Sequence, residues 1–328
     1  MHTVENRSFP RMGRDVGVIG LGAWQLGADW GTVTEQDAQA TLQAAADAGV
    51  TFFDTADVYG DGRSEKVIGA FVRDRPGITV ATKMGRRVPQ EPSAYTLDNF
   101  RAWTDRSRAN LGVDTLDLVQ LHCPPTPVFS TAAVYDALDT LVQEKRIAAY
   151  GVSVEQVEEA LAAIERPGTA SVQIILNAFR LKPLERVLPA AAAAGVGIIA
   201  RVPLASGLLS GRYDEHTTFA ADDHRNFNRH GEAFDVGETF SGVDFTTGLE
   251  AVRRLKPLVP AGATMAQFAL RWVIDQPGVT VVIPGARNPE QARGNAAVAD
   301  LAPLDAETQD AVRAVYDELI QPQVQDKW

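Results

Sequence analysis

The sequence is short of the residues that would place it in several common classes. It has one cysteine, Cys123, among 328 residues, which excludes an internal disulfide and every zinc or iron–sulfur framework built on several cysteines. A reducing, cytoplasmic setting is the expectation that follows, and no metal is expected. Long apolar runs are also missing: the longest stretch of small apolar residues, Ala190 to Ala200, is too short to span a bilayer and is stopped by Arg201. Basic residues are outnumbered by acidic ones, 31 against 42, and the net charge of −11 argues against a nucleic-acid footprint. The first residues (Met1-His2-Thr3-Val4-Glu5-Asn6) do not place a basic stretch ahead of an apolar one, so no secretory signal is expected. Neither a membrane nor a nucleic acid is expected as a partner.

What is present is an alternation. Short β-branched runs are expected as strands near Val18–Ala23, Thr51–Thr55, Ile78–Lys83, Asp117–His122, Ile147–Val152, Val172–Leu176, Gly197–Val202 and Val279–Ile283. Between them lie segments of helical period: Glu35–Ala48, Glu65–Val72, Leu97–Leu111, Thr131–Glu144, Val154–Ile164, Glu185–Ala194, Met265–Asp275 and Pro289–Ala299. Gly49, Gly112 and Gly195 follow three of these, where a left-handed cap ends a helix. Consecutive apolar positions, as in Val281-Val282-Ile283, suit parallel strands covered on both faces. Eight β-then-α units favour a closed α/β barrel, the (β/α)8 or TIM barrel, over an open doubly wound sheet. The chain is read as one domain, 1–328. Met1–Asp15 is expected to form a hairpin closing the N-terminal end of the barrel, and helices near Thr247–Leu258 and Ala306–Leu319 are extra to the eight units. After the seventh strand a long loop, 204–245, carries Phe219, Phe227, Phe234, Phe240 and Phe245, a composition suited to an ordered cover.

In such a barrel the C-terminal strand ends converge on one pocket. Those ends carry Asp54, Lys83 and His122, and Tyr59 follows in the loop after Asp54. A tyrosine hydroxyl titrates near 10, too high for an efficient donor at neutral pH. A neighbouring ammonium stabilises the phenolate, a carboxylate holds the ammonium, and a histidine beside the hydroxyl orients a carbonyl or relays a proton. Together they make a proton-donating site for a carbonyl oxygen. A hydride must come from a cofactor, because no side chain supplies one. Each residue alone has an ordinary alternative: an aspartate that caps a turn, a solvated lysine, a structural histidine, a tyrosine covering apolar surface.

The stretches Gly20-Leu21-Gly22-Ala23-Trp24, Phe53 to Gly60, Ala81-Thr82-Lys83, Leu118 to His122, Tyr150 to Ser153, Pro203 to Gly211 and Ile283 to Arg287 together resemble the aldo-keto reductase superfamily, in its order and spacing over nearly the whole chain. The wording Arg201-Val202-Pro203-Leu204-Ala205-Ser206-Gly207 looks most like a bacterial branch of general-stress and inositol-cluster reductases. The resemblance implies a (β/α)8 barrel, a small-molecule carbonyl substrate, and Asp54, Tyr59, Lys83 and His122 as the catalytic residues. It implies NADPH (or NADP+) as cofactor, with NADH not excluded. Ser153 and Gln173 would hold the carboxamide. The backbone at Gly22, Ala23 and Trp24, and the loop with Pro203, Leu204, Ser206, Gly207, Leu209 and Arg212, would run along the pyrophosphate. Gly285, Ala286, Arg287, Gln291 and Asn295 would receive the adenosine end. Trp24, Trp30, Tyr59 and His122 would wall the substrate pocket with part of the long loop.

The sequence departs from the family pattern in three places. Val154 follows Ser153 where an asparagine is usual, and Gln291 and Gly294 replace charged residues that some members have. Arg201 stands where most members stack an aromatic ring on the nicotinamide. A guanidinium there would repel the cationic oxidised ring and spare the neutral reduced one, whereas an aromatic face attracts a cation. The alternative is that Arg201 turns away to pair with an acidic residue or the pyrophosphate. Two other functions fit the same residues: a Schiff-base lyase using Lys83, and a cofactor-binding regulatory module like the potassium-channel β subunits.

Overall fold

The structure is a computed structural model that describes residues 4–27 and 33–328. Two strands, β1 (Asn6–Phe9) and β2 (Arg14–Gly17), pair antiparallel as the expected hairpin. Eight parallel strands follow: β3 (Leu21–Gly22), β4 (Phe52–Asp54), β5 (Thr79–Met84), β6 (Leu116–His122), β7 (Ile147–Ser153), β8 (Thr169–Ile175), β9 (Gly197–Arg201) and β10 (Val279–Val282). Each pairs with its successor. The ends of the series are joined by Gly20 N–H donating to Val282 O (2.8 Å) and Val282 N–H to Val18 O (2.9 Å), which closes the barrel. The first barrel strand is shorter than the run Val18–Ala23 suggests, because on the side of the last strand it makes only isolated bridges, Ile19 to Val282 of β10 and Gly22 to Gly285 beyond it.

The helices of the eight units lie where the periodicity puts them: α1 (Glu35–Asp47), α2 (Arg63–Val72), α3 (Leu97–Leu111), α4 (Ala132–Gln143), α5 (Val157–Ile164) and α6 (Pro183–Ala194) precede the long loop. Helix α5 starts three residues later than expected. Gln156 and Glu159 form a reciprocal capping box that fixes its first turn there, and Val154 stays extended, donating its N–H to Gln173 O (2.9 Å). Gly49, Gly112 and Gly195 all take positive φ at helix ends. The loop after β9 is ordered by short turns and one helix, α7 (His224–Phe227). After it come α8 (Phe245–Leu255), α9 (Met265–Ile274) and, past β10, α10 (Pro289–Ala296). Helix α11 (Ala306–Val315) runs through a wider turn into α12 (Gln321–Val324). No helix among the described residues is long and apolar enough to cross a membrane.

Strand periodicity positions the site. Side chains at i and i+2 point the same way. Inside the barrel a floor is built from Phe52, Ala81, Leu118, Ala149, Ile199 and Val281, all in one buried cluster with Phe9 of the hairpin. Phe9 reaches them because Gly197 has no Cβ, which would collide with its ring. Two residues further along four of these strands stand Asp54, Lys83, Gln120 and Arg201. The alternation that fills the floor with apolar groups therefore delivers the polar ones to the C-terminal mouth.

Candidate active site

Lys83 is buried and has three acceptors for its three N–H groups. It is ion-paired with Asp54 Oδ1, donates to Thr55 O (2.9 Å) and reaches the Tyr59 hydroxyl at 3.4 Å. Burial works against the ammonium, but Asp54 and Tyr59 outweigh it and hold Lys83 above its ordinary value. A Schiff base needs a neutral amine, so this setting disfavours the lyase alternative. The other carboxylate oxygen of Asp54 accepts from Gln173 Nε2 (2.8 Å) and Gln120 Nε2 (3.2 Å). Gln120 escapes sequence reasoning. The available signal is its position two residues before His122, on the same inward face of β6.

The loop carrying Tyr59 is pinned from below. Ala23 N–H donates to Asp54 O (2.8 Å), Thr55 Oγ1 to Ser64 Oγ (2.8 Å), and Ser64 Oγ to Ala23 O (3.0 Å). Burial raises the Tyr59 hydroxyl above its ordinary value of 10, and Lys83 pulls in the opposite direction. The phenol is therefore protonated, with an ammonium in place to meet the charge it would leave behind. His122 sets its ring edge-on to Tyr59 at 6.0 Å. Burial first, then Arg86, Lys83 and Arg201, push its pKa well below 6.5, so the imidazole is neutral. Its Nδ1 is buried and has no partner among the described residues. Trp24 stacks on Tyr59 (6.0 Å, 21°), and His224 of the long loop lies against Trp24 at 5.7 Å. His224 is kept neutral by burial, which pushes its pKa to about 4. Trp30 falls outside the described residues.

Asp57 is a second residue that the sequence does not distinguish. It is wholly buried, and neither carboxylate oxygen has a hydrogen-bond partner among the described residues. Burial, and then the charge of Glu65, push it up to about 7.

Around this centre the remaining residues fall into two groups. Ser153, at the end of β7, accepts a hydrogen bond from the Cys123 thiol at 3.4 Å. Arg201, at the end of β9, donates to Val154 O (3.0 Å) and pairs with Glu238 of the long loop. Its Nε is buried without a partner among the described residues. Glu238 is thus the acidic partner that one of the two readings of Arg201 expects, and it revises the other, the repulsion of an oxidised ring. The loop from Pro203 to Gly211 turns through left-handed residues at Ala205, Ser206, Gly207 and Gly211. The Ser206 hydroxyl donates to Glu238 O (2.7 Å), and Leu209 is buried, leaving only its backbone to face a ligand. At the other rim Asn295 donates to Gly285 O (3.2 Å), and Gln291 accepts from Arg287 N–H (2.9 Å). These two shape the backbone, Ala286 is buried, and the side chains of Arg287 and Arg212 are exposed.

Comparison with known proteins identifies the family. The model of the Aldo/keto reductase family matches residues 18–317. The chain belongs to the aldo/keto reductase family. It is an oxidoreductase of the NAD(P)H-dependent kind by that membership. Among its relatives is the aldo-keto reductase YhdN of Bacillus subtilis, 30% identical over 88% of this chain and 86% of that one. Another is a probable voltage-gated potassium channel subunit beta of Oryza sativa, 31% identical over 95% and 96%. Similar solved structures include the glycerol dehydrogenase AKR11B4 of Gluconobacter oxydans, with TM-score 0.78 and 29% identity over 98% of this chain and 97% of that chain. A Klebsiella pneumoniae aldo-keto reductase in complex with NADPH gives TM-score 0.68 and 25% identity, covering 92% of each chain.

Proposed function

We propose that this aldo/keto reductase reduces an aldehyde or ketone to the alcohol with NADPH, and that Tyr59 is the proton donor. The observation that carries the reading is the Tyr59 hydroxyl standing 3.4 Å from a lysine that Asp54 holds charged. NADPH when bound supplies the hydride. Tyr59 gives its proton to the carbonyl oxygen, and the phenolate it leaves faces the Lys83 ammonium. Gln120 and Gln173 hold the Asp54 carboxylate in place, donating to its second oxygen while the first faces Lys83. His122, being neutral, orients the carbonyl without adding a charge that would compete with Lys83.

The residues present fit the cofactor. Arg201 has a buried, unsatisfied N–H beside Ser153's strand, suited to an amide oxygen or a phosphate. The left-handed turns at Ser206 and Gly207 suit the backbone N–H concavities that receive anions. Ser153 and Arg201 would hold the nicotinamide end, the 203–212 loop the pyrophosphate, and Arg287 the adenosine end. Gln173 is assigned here chiefly to bracing Asp54. The K. pneumoniae relative crystallised with NADPH supports the cofactor choice. The potassium-channel relatives favour a second reading, a regulatory module that binds cofactor with negligible turnover. NADPH oxidation followed over a panel of aldehydes, ketones and sugars separates the two. Tyr59→Phe should keep NADPH binding and lose turnover by roughly 10²-fold or more, the scale of general acid catalysis. Turnover within a few-fold of the parent would assign the proton elsewhere.

A further inference from the structure

The segment 235–242 of the long loop between β9 and α8 lies against the proposed cofactor groove. Within it the Glu238 carboxylate pairs with Arg201, and Glu238 O accepts from Ser206 Oγ (2.7 Å). Phe240 N–H donates back to Ser206 Oγ (3.1 Å), and Ser241 Oγ accepts from Asn177 Nδ2 (2.8 Å). Of the three residues that the segment grips, Arg201 and Ser206 belong to the proposed cofactor groove. The segment's far side is gripped by something remote from the chemistry. The indole of Trp328 donates from Nε1 to Asp235 Oδ2 at 3.0 Å. Its ring lies under the guanidinium of Arg180, whose Cζ is 3.6 Å from the ring centroid. Arg180, itself buried, reaches on to Glu155 O at 2.6 Å, next to the Val154 carbonyl that Arg201 holds.

The backbone of the segment is moulded to these two side chains. A Cβ at Gly242 would collide with the Trp328 ring, and one at Gly237 with the Arg180 guanidinium. Trp328 is in turn delivered from α12, where Lys182 Nζ donates to Gln325 O (2.7 Å) and Tyr316 OH to Gln325 Oε1 (2.9 Å). A large aromatic side chain buried against a cation and hydrogen-bonded through its one polar atom is a strong local anchor.

We propose that Trp328 is a positioning residue for the cofactor groove: clamped between Arg180 and Asp235, it holds residues 235–242 down so that Glu238 stays on Arg201 and Ser206, and so sets how fast the nicotinamide cofactor leaves. The proposal rests on the NADPH reading above for its groove, but the clamp itself stands on the contacts alone. Trp328 touches neither cofactor nor substrate. Its effect passes through Glu238.

The test uses the full chain with Trp328→Ala, Trp328→Phe and Asp235→Asn. The phenylalanine keeps a ring under Arg180 and loses only the indole N–H. Hydrogen exchange of residues 235–242 in the cofactor-free protein reads the clamp; stopped-flow fluorescence reads NADPH release; KM and kcat are measured separately. In Trp328→Ala the segment's amides should exchange at least tenfold faster, and NADPH should leave about tenfold faster with a matching rise in its KM. No comparable loss of kcat is expected. Trp328→Phe should lie between parent and alanine, and Asp235→Asn should show a smaller effect of the same sign. If Trp328→Ala does not fold, the other two variants carry the test. Unchanged exchange in the segment would show that Trp328 does not hold it. Faster exchange with an unchanged NADPH release rate would show that the segment does not gate the cofactor. Either result overturns the proposal. A parent protein that binds no NADPH would refute the functional reading instead, and the exchange arm would still decide whether the clamp exists.

Discussion

Replacing Lys83 by methionine separates two roles that the geometry assigns to one ammonium. The first is electrostatic support of a Tyr59 phenolate. With the nitrogen 3.4 Å from the hydroxyl oxygen, a unit charge pair at an effective dielectric of about 20 is worth about 5 kcal/mol. Partial charge in the transition state and some access of water reduce this, so the expected loss in kcat is on the order of 10³-fold. The second role is structural. Lys83→Met leaves the buried Asp54 carboxylate without its counter-ion, which costs about 3–5 kcal/mol in comparable sites. The double variant Asp54→Asn, Lys83→Met removes the stranded charge and should recover most of that stability, while activity stays as low as in the single variant. Urea unfolding at constant m-value gives the stability difference, and NADPH oxidation at saturating substrate gives kcat. If the single variant kept kcat within tenfold of the parent, Lys83 would not stabilise the phenolate. If the double variant regained activity along with stability, the apparent catalytic loss would have been a folding defect.

Three further outcomes follow from other parts of the structure. Asp57 is raised from 3.8 to about 7 in the folded state. Between those values the unfolded chain has given up a proton that the folded chain keeps, so stability falls as pH rises, by up to about 4 kcal/mol over about three units. Asp57→Asn should therefore stabilise the protein more at pH 8 than at pH 5, and an equal effect at both would refute the shift. Glu238→Gln exposes the charge of Arg201, so affinity for NADP+ should fall relative to NADPH by about fivefold or more, an energy near 1 kcal/mol; fluorescence titration returning the parent ratio would remove Arg201 from the nicotinamide. Arg287 offers an exposed planar fork suited to a phosphate. The parent should bind NADPH more tightly than NADH, with most of the difference lost in Arg287→Ala, and equal affinities in the parent would end that role.

The segments that became strands and helices were legible because their signals are local. Short β-branched runs mark Thr51–Thr55 and Asp117–His122 as strands with polar residues at their ends, and a terminal glycine marks a helix boundary. Asp54, Tyr59, Lys83 and His122 could be grouped because barrel topology brings successive strand ends to one mouth whatever the loops do. Where the first and last strands of the barrel are joined only by isolated bridges, Ile19 to Val282 and Gly22 to Gly285, the run of apolar residues overstated the strand. Which side chains far apart in sequence become partners is settled only in the fold: Gln173 on Asp54, Trp328 on Asp235, and Glu238 as the acidic residue that meets Arg201. Neither periodicity nor composition encodes which side chain a closed barrel and its insertion will place within 3 Å of another. Protonation is decided at the same level. Asp57 and His122 are ordinary titrating residues in the sequence, and only the loss of water around them, with the charges that packing brings near, makes the first a weak acid and the second a neutral base.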